Sequence, residues 1–306
     1  MIPDVTPNGV FYLPPTGWLT SFYNLPPRKN VPVNLQIYNN ISAGFWYDAL
    51  SFIIVILDCA IIFCEVKEMA DKVVARPLIT IANIIWSFNP LTHLPQVLLV
   101  KRAYPPFEGH WALPETLLRR DESADAACIR LIKDKIGVRL SNSATEQLAT
   151  FTDPDRVSGE RALAIAYMTF LPTMPQLRAG YGATEVGWFS LNFDHGKFIL
   201  QNGDLVLSLA TGSALAFDHH QIINTAIVRI KNKLDYQPTI LQILGPTFTL
   251  RQAREVYATF RQTTVDQIDN SNFKKTHQKL FKEVGTAATK RSGRPPKLFK
   301  LVLPYV

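Results

Sequence analysis

The residues best equipped for recognition chemistry lie in the last quarter of the chain. Asn272, Lys274, Lys275, Gln278 and Lys279 share the polar side of an amphipathic pattern, and Lys290, Arg291 and Arg294 crowd a Gly-containing loop soon after it. Asn and Gln amides can read adenine edges, whereas a lysine ammonium binds phosphate without regard to sequence. Residues 235–306 hold 12 Lys and Arg against 5 Asp and Glu, and the rest of the chain holds 20 of each, so the net charge of +7 sits wholly in this quarter. A basic module on a neutral body is the footprint of a nucleic-acid partner, with a solvated basic face as the plainer alternative.

Other chemistry is sparse. Cys59, Cys64 and Cys128 are an odd set without paired spacing, and the adjacent His219 and His220 lack the His/Cys/carboxylate spacing of zinc. Neither a disulfide framework, a metal nor a cofactor is expected, and the compartment should be reducing and cytoplasmic. The first 27 residues have no basic start or apolar core of the signal-peptide kind. Residues 49–64 form an apolar run interrupted by Asp58. At sixteen residues with an internal acid it is short for a span, so a buried strand or helix is expected there and a membrane is not.

The elements that must carry these residues can be read from periodicity. With 47% apolar and 19% charged residues the 306-residue chain can bury a core, which excludes wholesale disorder and collagen-like repetition. Residues 1–75 are an extension marked by Pro14-Pro15 and Pro26-Pro27, and no function attaches to it. From Arg76 onward, residues 78–85, 96–100, 162–170, 188–193 and 205–209 read as strands. Residues 121–136 and 216–234 read as amphipathic helices, the first with acids at its start and Gly137 after its end. Beyond Pro246, Thr249 caps a helix through Phe260. Asp269 or Asn270 caps the next, with Phe273, His277, Leu280, Phe281 and Val284 inward and Gly285 as its stop. A basic loop and a strand at 298–302 complete a winged helix-turn-helix plan.

Several segments resemble a known family. Val97-Leu-Leu-Val-Lys-Arg102 and Pro106-Phe-Glu-Gly-His-Trp-Ala-Leu-Pro114 resemble the approach to a Nudix box, the motif of hydrolases that cleave nucleoside diphosphates linked to another moiety. Thr152-Asp-Pro-Asp-Arg156, Leu215-Ala-Phe-Asp-His219, Phe248-Thr-Leu-Arg-Gln252, Asn272-Phe-Lys-Lys275 and Gly293-Arg-Pro-Pro-Lys-Leu-Phe299 are similar, in order, to the NrtR-type transcription regulators. The resemblance runs from about Arg76 to Leu301. It implies an α/β (α+β) chain: a Nudix-like α/β/α sandwich with a mixed sheet over residues 76–235, then a winged helix over residues 236–306.

Against the family pattern the box departs in chemistry. Its first Gly falls on Thr116, its first Glu on Glu122, and Arg-Glu on Arg130-Leu131. Glu-Glu falls on Asp134-Lys135, and the closing pair is Gly137-Val138. Magnesium needs converging oxygen ligands; a hydrophobe and an ammonium supply none, and the ammonium can itself pair with a phosphate. Glu115-Thr116 also replaces the double Gly usual after Trp-Ala-Leu-Pro. The resemblance therefore implies a DNA-binding regulator rather than an enzyme, with a Nudix-like domain that senses an ADP-ribose-like or sugar-phosphate-like metabolite. The alternative is a Nudix hydrolase acting on an ADP-ribose-type diphosphate. Arg102, Trp111, Glu122, Arg130 and Arg156 carry over as ligand residues, although Trp111 also suits a core and Glu122 with Arg130 an internal ion pair. Duplex DNA with a palindromic operator and a second copy in a homodimer are the expected macromolecular partners.

Overall fold

The computed structural model describes residues 76–138, 145–209, 215–288 and 295–302. The apolar run at 49–64, Cys59, Cys64 and the loop cations Lys290, Arg291 and Arg294 lie outside the described residues.

Strand β1 (Leu78–Asn89) and strand β2 (Leu94–Arg102) form the centre of the main sheet. β-strand side chains alternate between faces. Accordingly Ile81 and Ile85 of β1, with Leu98 and Val100 of β2, enter one core, while Ala82, Ile84, Trp86 and Phe88, with Val97 and Leu99, enter the other. Both strands read as nearly unbroken apolar runs because both of their faces are covered.

Among the described residues, nine strands make this mixed sheet. β1 runs antiparallel to β2 and parallel to β6 (Ala162–Phe170), which pairs in turn with β5 (Thr145–Phe151). On the other side β2 pairs with β7 (Ala183–Asp194), followed by β8 (Lys197–Asn202) and β9 (Leu205–Ser208). Two short strands, β3 (Trp111–Ala112) and β4 (Glu115–Leu117), attach to β2 and β1.

Helix α1 (Ala124–Ile136) covers one face. Ser123 caps it by accepting from the Ala126 N–H, and Gly137 closes it in the left-handed conformation, where a Cβ would be strained. Ala127, Cys128, Ile132 and Ile136 face the sheet. A buried polar link pins the contact: the Asn83 amide donates to Thr169 Oγ1 at 2.9 Å and to Cys128 Sγ at 3.2 Å, and Thr169 Oγ1 donates back to Asn83 Oδ1 at 3.1 Å. Burial raises the Cys128 thiol to about 12, so it stays a thiol.

Helix α2 (His219–Lys233) covers the other face through Ile222, Ile223, Ala226, Ile227 and Ile230. Its core continues without interruption into the carboxy-terminal module. There helix α3 (Leu250–Arg261) begins with a capping box: the Gln252 N–H donates to Thr249 Oγ1, and the Thr249 N–H donates to Gln252 Oε1 at 2.8 Å. Phe260 of α3 packs edge-on against Trp86 with ring centroids 5.7 Å apart. His93, in the turn between β1 and β2, contacts Glu255 of α3 at 3.1 Å, and Arg251 holds the other oxygen of Glu255.

Helix α4 (Asn270–Thr276) starts with Asp269 accepting from the Asn272 N–H. It is shorter than its apolar spacing suggests. Phe273, His277, Leu280 and Phe281 are buried as expected, but the chain turns at His277, and residues 281–286 are strand β11 (Phe281–Thr286). β11 pairs with β12 (Lys297–Leu301), which also pairs with β10 (Phe248–Thr249). Val284 is therefore exposed rather than in the core, and Gly285 sits at a register shift in the strand instead of stopping a helix. Pairing with a strand more than ten residues away outweighs the weak local preference of a 3.6-residue period.

Since Trp86 is buried against α3, Trp86→Ala should cost about 3–5 kcal/mol. Calorimetry should then show the sheet and the winged helix melting together at a lower temperature; a carboxy-terminal transition left at its original temperature would contradict the shared core.

Candidate ligand site and nucleic-acid interface

One charged cluster lies where β4 meets the start of α2. In β4, Thr116 faces α1 and Glu115 the opposite side, as strand alternation requires. Glu115 Oε1 lies 3.9 Å from Arg156 Nη2, and Oε2 lies 3.6 Å from His219 Nε2. Arg156 is held in place by a bidentate pair with Asp218, at 3.0 Å from Nε and 2.9 Å from Nη2. That use of the carboxylate explains why Asp218, the residue before α2, makes no side-chain capping bond. His219 Nδ1 accepts from the Leu113 N–H at 3.0 Å, which assigns the ring proton to Nε2, the atom facing Glu115. Burial pushes the Glu115 carboxyl up, but His219, Thr80 and Arg156 outweigh it and hold the group at about 2.

A cationic and aromatic rim adjoins this cluster. The Arg102 guanidinium donates to the Pro106 carbonyl at 2.8 Å and stacks 4.8 Å over the Phe217 ring. Phe217 in turn touches Phe107 and His219, with centroids 4.9 and 5.4 Å away. Lys135, near the end of α1, donates to the Tyr181 carbonyl and lies 5.7 Å from the Tyr181 ring. The loop carrying Tyr181 is seated on α1 by Gly180: a Cβ there would come within 2.5 Å of the Asp134 carbonyl and 2.8 Å of that of Lys135.

The five residues expected at a ligand site separate into two groups. Arg102 and Arg156 both border the Glu115 cluster. Glu122 and Arg130 pair with each other, at 2.9 Å through Nε and 2.5 Å through Nη2, and Arg130 also reaches Thr116 and the Leu117 carbonyl. The Arg130 hydrogen bonds hold the Glu122 carboxyl at about 2. Trp111 is half-buried in β3, edge-on to Phe189. Glu115, Asp218 and His219 were not singled out as ligand residues. Glu115 in place of the usual Gly, the His pair and the family-like segment Leu215 to His219 signalled them, and no local spacing joins residues from β4, the loop before β6 and the start of α2.

The positions where the box pattern expects metal carboxylates do not fit a divalent cation. Leu131 is fully buried, Asp134 lies 3.8 Å from Arg130, and Lys135 brings a positive charge. No group of three or more His, Cys, Asp or Glu is arranged to hold a metal among the described residues.

In the carboxy-terminal module Asn272, Lys274 and Lys275 lie on α4, and Gln278 and Lys279 on the turn after it rather than on the helix itself. All five are exposed, and none of the three lysines forms an ion pair with a described residue.

Residues 80–192 match the NUDIX domain and residues 240–301 match the NrtR DNA-binding winged helix domain. A MutT/nudix family protein from Enterococcus faecalis is 34% identical, and its crystal structure superposes with a TM-score of 0.67 over 74% of this chain and 87% of that one. This chain belongs to the Nudix family and carries an NrtR winged helix. An ADP-ribose pyrophosphatase of Methanocaldococcus jannaschii is 30% identical over 130 residues, 40% of this chain and 72% of that enzyme. The ADPR responsive transcriptional repressor NtrR of Acinetobacter baylyi is 25% identical over 187 residues, 59% of this chain. The match spans 65% of that repressor, less than two thirds of its length. Membership in the Nudix family with a winged helix agrees with the mixed sheet between helices and the three-stranded wing sheet.

In this Nudix protein the depressed Glu115 stabilises the fold above the unfolded value near 4.5, and that contribution is lost as pH falls toward about 2. Wild-type stability should therefore fall through this window more steeply than that of Glu115→Gln. Denaturant midpoints measured from pH 5 to pH 2 test it, and parallel curves would refute the pairing of Glu115 with its cationic neighbours.

Proposed function

We propose that this protein is a cytoplasmic DNA-binding transcription regulator whose Nudix domain binds an ADP-ribose-like metabolite without cleaving it. The observation that carries the reading is the continuous core joining the Nudix sheet to the NrtR winged helix through Trp86 and Phe260. A ligand that favours one arrangement of the sheet can then bias the DNA-facing helix, and the coupling must run in both directions. Both halves have named relatives in keeping with it, a repressor responsive to ADPR and an ADP-ribose pyrophosphatase.

For DNA, Asn272, Lys274, Lys275, Gln278 and Lys279 form the groove-facing set, with Lys290, Arg291 and Arg294 on the wing. One winged helix covers a half-site, so the protein acts as a homodimer on a palindrome. For the metabolite, Arg102 and Arg156 border the site, with Trp111, Glu122 and Arg130 as its frame. The domain division at residues 75 and 235 belongs to the same reading.

A hydrolase is the second reading, favoured by the identity to the pyrophosphatase. Leu131, Asp134 and Lys135 oppose it, because they cannot assemble the oxygen shell through which a metal activates water.

The test combines DNA binding with turnover. Lys274→Ala with Lys275→Ala should weaken duplex binding and flatten the slope of log affinity against log salt by about 2, since each lost phosphate contact removes roughly one counterion. ADP-ribose should change the wild-type DNA affinity and remain intact over hours with Mg2+ or Mn2+. An unchanged salt slope would remove the assigned DNA face, and catalytic turnover lost on Glu122→Gln would establish the hydrolase instead.

A further inference from the structure

We propose that Lys135 and Arg102 form a diphosphate subsite in which a fixed ammonium replaces the divalent metal, and that Glu115 is the internal counter-charge with which the diphosphate exchanges. The inference rests on the reading that the Nudix domain binds an ADP-ribose-like ligand, and it adds how the charge of that ligand is met.

A run of contacts leads from the Lys135 ammonium through Arg102 to Glu115. The Ala103 N–H donates to the Gly182 carbonyl at 3.1 Å, and a Cβ on Gly182 would lie 3.1 Å from Lys135 Nζ, so the loop after Arg102 and the Lys135 ammonium meet at the same backbone. From Arg102 the contacts continue through Phe217 to His219, whose Nε2 faces Glu115. Arg156, fixed by Asp218, lies 3.9 Å from Glu115 at the end of this run. Electrostatics agree with this placement. Burial and then Arg102 push the Lys135 ammonium down, burial pushes Arg102 down, and Glu115 opposes the shift in both.

A second observation points to an incoming oxygen-rich group. The Arg156 and His219 side chains are 1% and 0% exposed, yet Arg156 Nη1 and His219 Nε2 have no hydrogen-bond partner among the described residues. Buried donors without acceptors are rare: His219 Nε2 stands 3.6 Å from the Glu115 carboxylate, beyond hydrogen-bond distance, and Arg156 meets Asp218 through Nε and Nη2, which leaves Nη1 unfilled. One carboxylate offset between several cationic or N–H groups leaves donor capacity that phosphate oxygens can fill. Phe107, Phe217, Tyr104 and Tyr181 supply aromatic surface beside it for a base. Where related hydrolases use carboxylates to recruit a cation, this chain carries the cation covalently.

Titration calorimetry of the full chain in EDTA tests the proposal with inorganic pyrophosphate, ADP-ribose and adenosine. Wild type should bind pyrophosphate and ADP-ribose without metal, and Lys135→Met should weaken both about tenfold or more, the loss expected for a charge-assisted hydrogen bond. Glu115→Gln should tighten pyrophosphate several-fold, and adenosine should not distinguish the variants. If Glu115→Gln does not fold, Lys135→Met decides alone, because Nζ sits at the rim and its removal leaves the core intact. Binding that requires Mg2+, or that is unaffected by Lys135→Met, overturns the subsite while ADP-ribose recognition stands. Pyrophosphate affinity unchanged or weakened in folded Glu115→Gln overturns the counter-charge. No binding of pyrophosphate or ADP-ribose by wild type, with or without Mg2+, removes this inference and the metabolite reading together.

Discussion

Two-sided burial of β1 and β2 is the constraint on which the molecule depends. A strand whose alternate side chains are both apolar cannot stand at a sheet surface, so one helix must cover each face. Helix α1 meets the requirement on one side. On the other, α2 covers only part of the sheet, and Trp86, Phe88 and Leu191 share a core with α3. The winged helix is thus part of what completes the sandwich, unlike a module hung on a flexible tether.

The same constraint locates the charged cluster. Asp218 and His219 open α2, the helix packed on the face that also receives α3, and Glu115 and Arg156 approach from β4 and from the loop before β6. Ionisable groups are tolerated there because each is matched: Arg156 by Asp218, Glu115 by His219 and Arg156. A ligand that rearranges these partners acts at the root of α2. The core that runs from α2 through α3 to Phe273 of α4 is the physical element through which such a rearrangement would be felt.

Much of this was legible in the sequence because it is periodic. The apolar runs of β1, β2 and β6, the Ser123 to Gly137 limits of α1 and the Thr249 cap of α3 all follow from local rules. Where the carboxy-terminal pattern misled, the cause was a coincidence of spacing: Phe273, His277, Leu280 and Phe281 fit one helical face, yet the segment turns at His277 and pairs with β12. The charged cluster was harder to read for a different reason. Arg156 lies 62 residues before its partner Asp218, and 106 residues separate Leu113 from the His219 nitrogen that binds it. Of the residues expected at the site, Arg102 and Arg156 border the cluster, whereas Glu122 and Arg130 have charges that are matched by each other. Lys135 reads in the sequence as a lost metal ligand and as an ammonium able to pair with a phosphate, but its neighbour Tyr181 is 46 residues away and no local spacing joins them.

The seating of the loop that carries Tyr181 has a corollary. Gly180 lies against the backbone carbonyls of Asp134 and Lys135 so closely that any β-carbon would have to push the loop or the helix end aside, and backbone yields far less readily than a side-chain tip. The Tyr181 carbonyl that orients the Lys135 ammonium is the next residue along. Replacing Gly180 would therefore release the lysine without touching it, and a return of carboxylate at 135 would leave that carbonyl facing a negative charge. The two positions are thus tied by one backbone contact, so a change of charge at 135 would call for a change in the loop as well.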